Sequence, residues 1–249
     1  KSYNLLNTLT RWKEAYHEKE KIKSNEINID RYRRSMLRLR IFSKNTEIKK
    51  IEADTFKEYG TFNNMEFEVS KNRKVDKKAF LNLETTGSVQ IPDDNGESSM
   101  PLKIAKKLII QYNTIKIIIE GEFLDDLDLP NLEKILISLN LGIDIPFFFN
   151  GDPDHFEWNS KTLNHQKEKK DFMDSYKYLG KNFEAYDKTY DLKYKINIDT
   201  SLHTSIIKFP IIAYVYTENG YKRIFQGMNI IPIFDLDKSF RIEINLKIQ

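Results

Sequence analysis

The chain has 249 residues, enough for one large domain or two small ones, and its 40% hydrophobic and 31% charged content is that of a soluble globular protein, not a disordered tail. Forty basic residues against 37 acidic ones leave a net charge of +3, too close to balance for a global electrostatic attraction to nucleic acid. With no cysteine, disulfides, thiol nucleophiles and cysteine-bound metals are excluded, and no run approaches the roughly 18 apolar residues of a membrane-spanning helix.

The chain opens on Lys1 with no signal peptide after it, so its start is expected to lie inside a longer or processed chain. Leu5, Leu9, Trp12 and Tyr16 then recur three or four apart, so an N-terminal helix is expected there, with Ser2 as its cap. Beyond Tyr16 that helix is charged all round and must project into solvent or meet a partner.

Period two takes over after the helix. Leu37, Leu39 and Ile41 alternate with Arg38 and Arg40; Phe67 and Val69 alternate with Glu66 and Glu68; Ile115, Ile117 and Ile119 share a face. Ile135, Ile137, Leu139, Leu141, Ile143 and Ile145 form the apolar side of one long segment. Such alternation predicts strands with one face in a core and one in water. Residues 87–101, rich in Gly, Pro, Ser, Asp and Asn, read as a linker or long loop. Between 164 and 191 alternation is lost, and Phe172, Tyr176 and Leu179 fit one short helix.

The C-terminal part patterns most clearly. Tyr194, Ile196 and Ile198 alternate, Ile207 to Val215 make an apolar face, and Asn219–Gly220 is the dipeptide preferred by a two-residue hairpin turn. The chain returns from Tyr221, turns at 235–238 and closes with Phe240, Ile242, Ile244, Leu246 and Ile248 all on one side. Pro210 and Pro232 point to edge positions or bulges. The expected fold is mainly β with some α: an N-terminal helix and smaller β-rich region over 1–90, then an antiparallel β-sandwich-like domain over 100–249, with a single domain as the alternative division.

Two stretches carry residue types with chemical capacity. In NGDPDHFEW, Asp152, Asp154, His155 and Glu157 gather metal-ligand and acid–base side chains within a few residues. The EF-hand spacing fails, because the sixth position is His155 and the twelfth is Lys161. His155 and His165 have no zinc-site spacing, and HExxH is absent. The simpler account is a turn, with Asn–Gly and Asp–Pro bending the chain and Phe147, Phe149, Phe156 and Trp158 anchoring both flanks in the core.

The second stretch is RYRRSMLRLR, where five of the nine arginines fall: Arg31, Arg33, Arg34, Arg38 and Arg40, with Tyr32 among them. A guanidinium fork binds phosphate or carboxylate at two points, so the cluster suits nucleic-acid phosphates or an acidic protein surface. It equally suits a solvated strand face paired with glutamates such as Glu66 and Glu68. The E-x-K triplet at Glu47–Lys49 and the aspartates Asp125, Asp126 and Asp128 are common in lysine-rich or loop sequence and carry little.

Phosphate-loop, dinucleotide-binding and serine-hydrolase motifs are all absent, which weighs against an enzyme. By elimination the expectation is a non-enzymatic assembly or binding protein, a structural component of a virion, tail-like or cell-envelope apparatus acting through a protein partner or self-assembly. The alternatives are a nucleic-acid-binding protein using the arginine cluster and a metal-dependent hydrolase with metal at Asp152, Asp154, His155 or Glu157. No cofactor is expected, and nothing in the sequence assigns a compartment.

Overall fold

The computed structural model describes residues 36–93, 96–124, 136–148, 156–159, 174–217 and 220–249. In chain order its elements are β1 (Leu39–Ser43), a short helix α1 (Ile48–Glu52), a 3-10 turn (Phe62–Asn64), β2 (Glu68–Val75), β3 (Lys78–Asp93), β4 (Gly96–Gln111) and β5 (Thr114–Phe123). There follow β6 (Leu139–Ile143), β7 (Ile145–Phe148), β8 (Phe156–Asn159), β9 (Tyr176–Leu179), β10 (Asn182–Asp187), β11 (Leu192–Asp199), β12 (Thr204–Thr217), β13 (Gly220–Asp235) and β14 (Ser239–Ile248). The expected N-terminal helix lies outside the described residues. Among the described residues no helix is long and apolar enough to cross a membrane.

Two antiparallel sheets form a sandwich. The larger runs β2-β3-β4-β5-β14-β11-β10-β8, and the smaller runs β1-β6-β13-β12-β9 with β7 also on β13. The mainly β, sandwich-like class read from alternation therefore holds. Leu39, Ile41, Leu141, Ile143, Ile206, Met228 and Ile230 from the smaller sheet meet Leu102, Ile104, Ile117, Ile119, Ile196, Ile242 and Ile244 from the larger, all buried in one core. Period two explains why: each strand sends alternate side chains to the same side, and burying that side in an apolar core is the main gain on folding.

Residues 87–101 are not a linker. The described ones, 87–93 and 96–101, lie in β3 and β4, which pair from Lys78↔Gln111 to Asp93↔Gly96, and Val89 and Met100 are completely buried. Polar composition misled because the strands here carry polar residues such as Gln90 and Ser99, exposed beside the buried Val89 and Met100. The expected helix around Tyr176 is instead β9, where Tyr178 points into the core and Leu179 is 60% exposed. Ile137, expected on the apolar face, is 58% exposed, because the strand starts only at Leu139.

The C-terminal strands do not stay in one sheet. β12 and β13 pair in the smaller sheet, whereas β14 crosses to the middle of the larger one, between β5 and β11. Both prolines sit where one side of a strand lacks a neighbour. Pro210 is beyond the reach of β9, which pairs only Ser205–Lys208, and beside a register shift at Ile211/Ile212. Pro232 falls between the stretches of β13 that pair with β6 and with β7. A missing amide costs no ladder bond at such places.

Gly121 of β5 lies directly opposite Phe240 of β14, and a Cβ on it would meet Phe240 Cζ at 2.1 Å. The ring fills the space that the glycine leaves. Gly121→Ala is expected to cost about 1–3 kcal/mol through overpacking. A lowered urea midpoint at unchanged slope would show this, and an unchanged midpoint would mean that the ring swings clear.

Candidate functional site

Arg38 and Arg40 do not form the exposed ladder that their alternation suggested. They project from the outer face of the smaller sheet, but residues 44–57 fold back over that face, so the two arginines are 4% and 3% exposed. Asp144, between β6 and β7, accepts hydrogen bonds from Arg38 Nε at 2.6 Å, Arg40 Nε at 2.9 Å and Asn229 Nδ2 at 3.0 Å. Arg40 Nη1 also reaches Asp54 Oδ1 at 3.1 Å, and its guanidinium lies over the Phe56 ring, 5.4 Å from the centroid. Phe42, Ile51, Phe56, Ile207, Phe209, Ile231 and Ile233 surround this pairing as a second apolar cluster. Arg38 and Arg40 thus meet two buried carboxylates inside the fold, and these two guanidinium groups are not presented to solvent. Arg31, Tyr32, Arg33 and Arg34 lie outside the described residues.

The same covering segment clips the two sheets together at their edge. Tyr59 donates its amide to Ile41 O of β1 at 2.8 Å and accepts from Gln90 N of β3 at 2.7 Å. Beside it, the Glu58 carboxyl accepts the amide of Ile41. Burial pushes that carboxyl up to about 7, against the opposing pull of Asn63, the Ile41 amide, the Arg40 charge and the Gly60 amide. Lys106, on the core face of β4, donates to Leu37 O at 2.8 Å with its Nζ 3.7 Å from the centre of the Phe67 ring. Burial holds its ammonium down at about 7.

The turn-like stretch 147–158 passes from one sheet to the other, since β7 pairs with β13 and β8 with β10. Phe147 rests against Tyr194 with ring centroids 5.6 Å apart, and Trp158 is 7% exposed. Trp158 stacks on Phe183 at 6.1 Å and contacts Tyr176 and Tyr178 at 5.7 and 6.3 Å. Lys208 is fully buried against this group, with Nζ 5.3 Å from the Trp158 ring centroid, and donates to Asp174 O at 2.9 Å. The aromatic box is thus filled by the chain's own cation. Of the acid–base residues in this stretch, Asp152, Asp154 and His155 lie outside the described residues. Glu157 is half-buried on β8 and pairs with Lys188 at 2.6 Å. Among the described residues no three metal-ligand side chains come together.

What the structure exposes instead is one end of the larger sheet. The β4–β5 turn carries Tyr112, 95% exposed, and the β10–β11 turn at the same end carries Tyr190, 56% exposed. Ile110 and Ile248 beside the first turn are 40% and 41% exposed. Ile248 N donates to Asn113 O at 2.8 Å, which seats the end of β14 against that turn. Of these residues only Ile248 stands out in the sequence, and there as one of a core-facing row, whereas it is 41% exposed. The usable signal was the two-residue turn Tyr112–Asn113, which joins two apolar strands without the glycine such turns prefer.

Comparison with known proteins corrects the functional expectation. The family model described as Alpha-amylase/4-alpha-glucanotransferase, C-terminal, matches residues 18–248. No curated protein sequence matches the chain. Among solved structures, the 4-alpha-glucanotransferase of Thermococcus litoralis superposes with a TM-score of 0.65 at 16% identity, covering 92% of this chain and 30% of that one. The chain therefore spans less than a third of that relative's length. A galactose mutarotase-like protein of Clostridium acetobutylicum superposes with a TM-score of 0.51 at 9% identity, over 86% of this chain and 79% of that one.

The family match overturns the non-enzymatic structural component of a virion, tail-like or cell-envelope apparatus, together with its nucleic-acid-binding and metal-dependent hydrolase alternatives. Elimination failed because it rests on local motifs, and this chain's relationship is spread over its whole length. With nearly all of its residues matched, the protein belongs to the C-terminal family of alpha-amylases and 4-alpha-glucanotransferases.

Proposed function

We propose that this chain is an accessory β-sandwich of an α-glucan-processing enzyme of the amylase or glucanotransferase kind, working beside a catalytic unit and holding α-1,4-linked glucan for it. The observation that carries this reading is the family match over residues 18–248. Its buried acids support the division of labour. Glycosyl transfer and hydrolysis commonly use two carboxyl groups flanking the bond to be broken, with room for sugar between them. The three fully buried aspartates among the described residues are otherwise engaged. Asp54 and Asp144 are held by the arginines, and Asp187 accepts the turn amides of Thr189 and Tyr190.

Electrophoresis of the native protein through gels containing glycogen, compared with gels containing a β-1,4-glucan, tests the reading. Incubation with maltoheptaose, with and without the catalytic unit, tests it further. Retardation by the α-glucan alone is expected. A folded protein that glycogen does not retard, and that changes no rate or product of maltoheptaose conversion, would sink it.

A further inference from the structure

We propose that the end of the larger sheet where β4 turns into β5 is a platform for α-1,4-glucan, with the ring of Tyr112 as its stacking surface. This rests on the reading that the protein handles α-glucan, and it names the place.

Tyr112 is the first of two turn residues between the paired Gln111 and Thr114, and its φ is 44°. A side chain there crowds its own backbone, so hairpin turns of this length put Gly, Asn or Asp at such a position. Five non-glycine residues among those described have positive φ. Asp54, Asp76 and Asp191 are of a type that tolerates it. Leu37 is 6% exposed, so core packing holds it in place. Tyr112 fits neither account, being bulky and 95% exposed. The turn bears a strained aromatic that repays nothing within the fold, and its ring is free to meet a molecule from outside.

The surroundings indicate which molecule. Ile110 and Ile248 are exposed at this end of the sheet, and Gln111, Asn113 and Lys247, their neighbours along the strands and in the turn, bring amide and ammonium groups to the same end. An exposed aromatic ring with hydrogen-bonding groups at the same end of the sheet suits a pyranose, which has C–H bonds on its faces and hydroxyls at its edge. Tyr190 stands at the same end, three inter-strand steps away through β14 and β11, or on the order of 14 Å. Two rings so spaced fit a chain of several sugars better than a single one.

The test is calorimetric titration of the full chain with maltoheptaose, comparing wild type with Tyr112→Gly, Tyr112→Phe and Tyr190→Ala. Tyr112→Gly relieves the backbone and is expected to keep or raise Tm, so weaker binding cannot be traced to unfolding. Kd is expected to rise roughly tenfold in Tyr112→Gly, the loss of one stacking ring, and to stay near wild type in Tyr112→Phe. Tyr190→Ala should fall between them. If wild type binds and Tyr112→Gly binds equally well, the platform is overturned while the α-glucan reading stands. A folded wild type that binds no α-glucan overturns both. A Tyr112→Gly protein that keeps its sugar affinity but loses a protein partner makes the ring a protein contact and overturns the platform too.

Discussion

Replacing Asp144 with alanine is expected to destabilise the fold by roughly 3–5 kcal/mol, the usual cost of removing one partner from a buried ion pair. Its side chain is 2% exposed, and the Arg38 and Arg40 side chains that it joins are 2% and 4% exposed. Without that carboxylate, both guanidinium groups stay under the 44–57 segment with a large part of their neutralisation gone. Domain stabilities are about 5–15 kcal/mol, so the variant should unfold at a much lower urea concentration, near half the wild-type midpoint. Asp144→Asn keeps an acceptor but loses the charge, and should fall between. An alanine variant within about 1 kcal/mol of wild type would show that water enters and solvates the arginines, and the cluster would lose its structural role.

Glu58→Gln should remove a pH dependence. Burial raises the carboxyl to about 7 in the folded protein from its ordinary 4.5. Between those values the folded chain holds a proton that the unfolded chain has released. Stability therefore falls as pH rises from 4.5 to 7 and levels off above. The glutamine side chain carries no charge and still accepts the Ile41 amide through its carbonyl oxygen. The variant should match wild type at pH 4 and exceed it above pH 7, by on the order of 3 kcal/mol. Lys106 slopes the other way: its folded value of about 7 against 10.5 means stability returns as pH rises from 7. Wild type then has its least stable point near neutrality, and Glu58→Gln should flatten only the acid side. Denaturant titrations at pH 4, 7 and 9 would decide, and equal curves for both proteins at all three would refute the assignment.

How far these features were legible follows from what alternation reports. It tells which residues share a strand face, so Leu39 and Ile41, Ile115 to Ile119, and Phe240 to Leu246 read directly as core-facing. It does not tell what covers the opposite face. Arg38 and Arg40 alternate as solvent-facing residues would, yet a segment beginning only a few residues later buries them against Asp144, over a hundred positions away. Nor does local patterning say which sheet a strand joins: β14 follows β13 in sequence yet lies in the other sheet, between β5 and β11. Tyr112 was overlooked for another reason: its interest lies in a dihedral angle and an exposure, and neither is written in residue type. The family relationship was equally invisible to motif search, because no short stretch carries it.

The place of β14 has a consequence for how the chain can fold. β2 to β5 form consecutive hairpins whose contacts are local, so this half of the larger sheet can assemble early. The other half, β8, β10 and β11, joins it only through β14, which pairs β5 on one side and β11 on the other. Until those ten residues have been synthesised, the two halves present open edges on either side of an unfilled slot. During synthesis that slot stays empty until β14 emerges, after all the other strands described above, and only then is the core between the two halves sealed. A chaperone, or a strand from a second copy, would find its opening there.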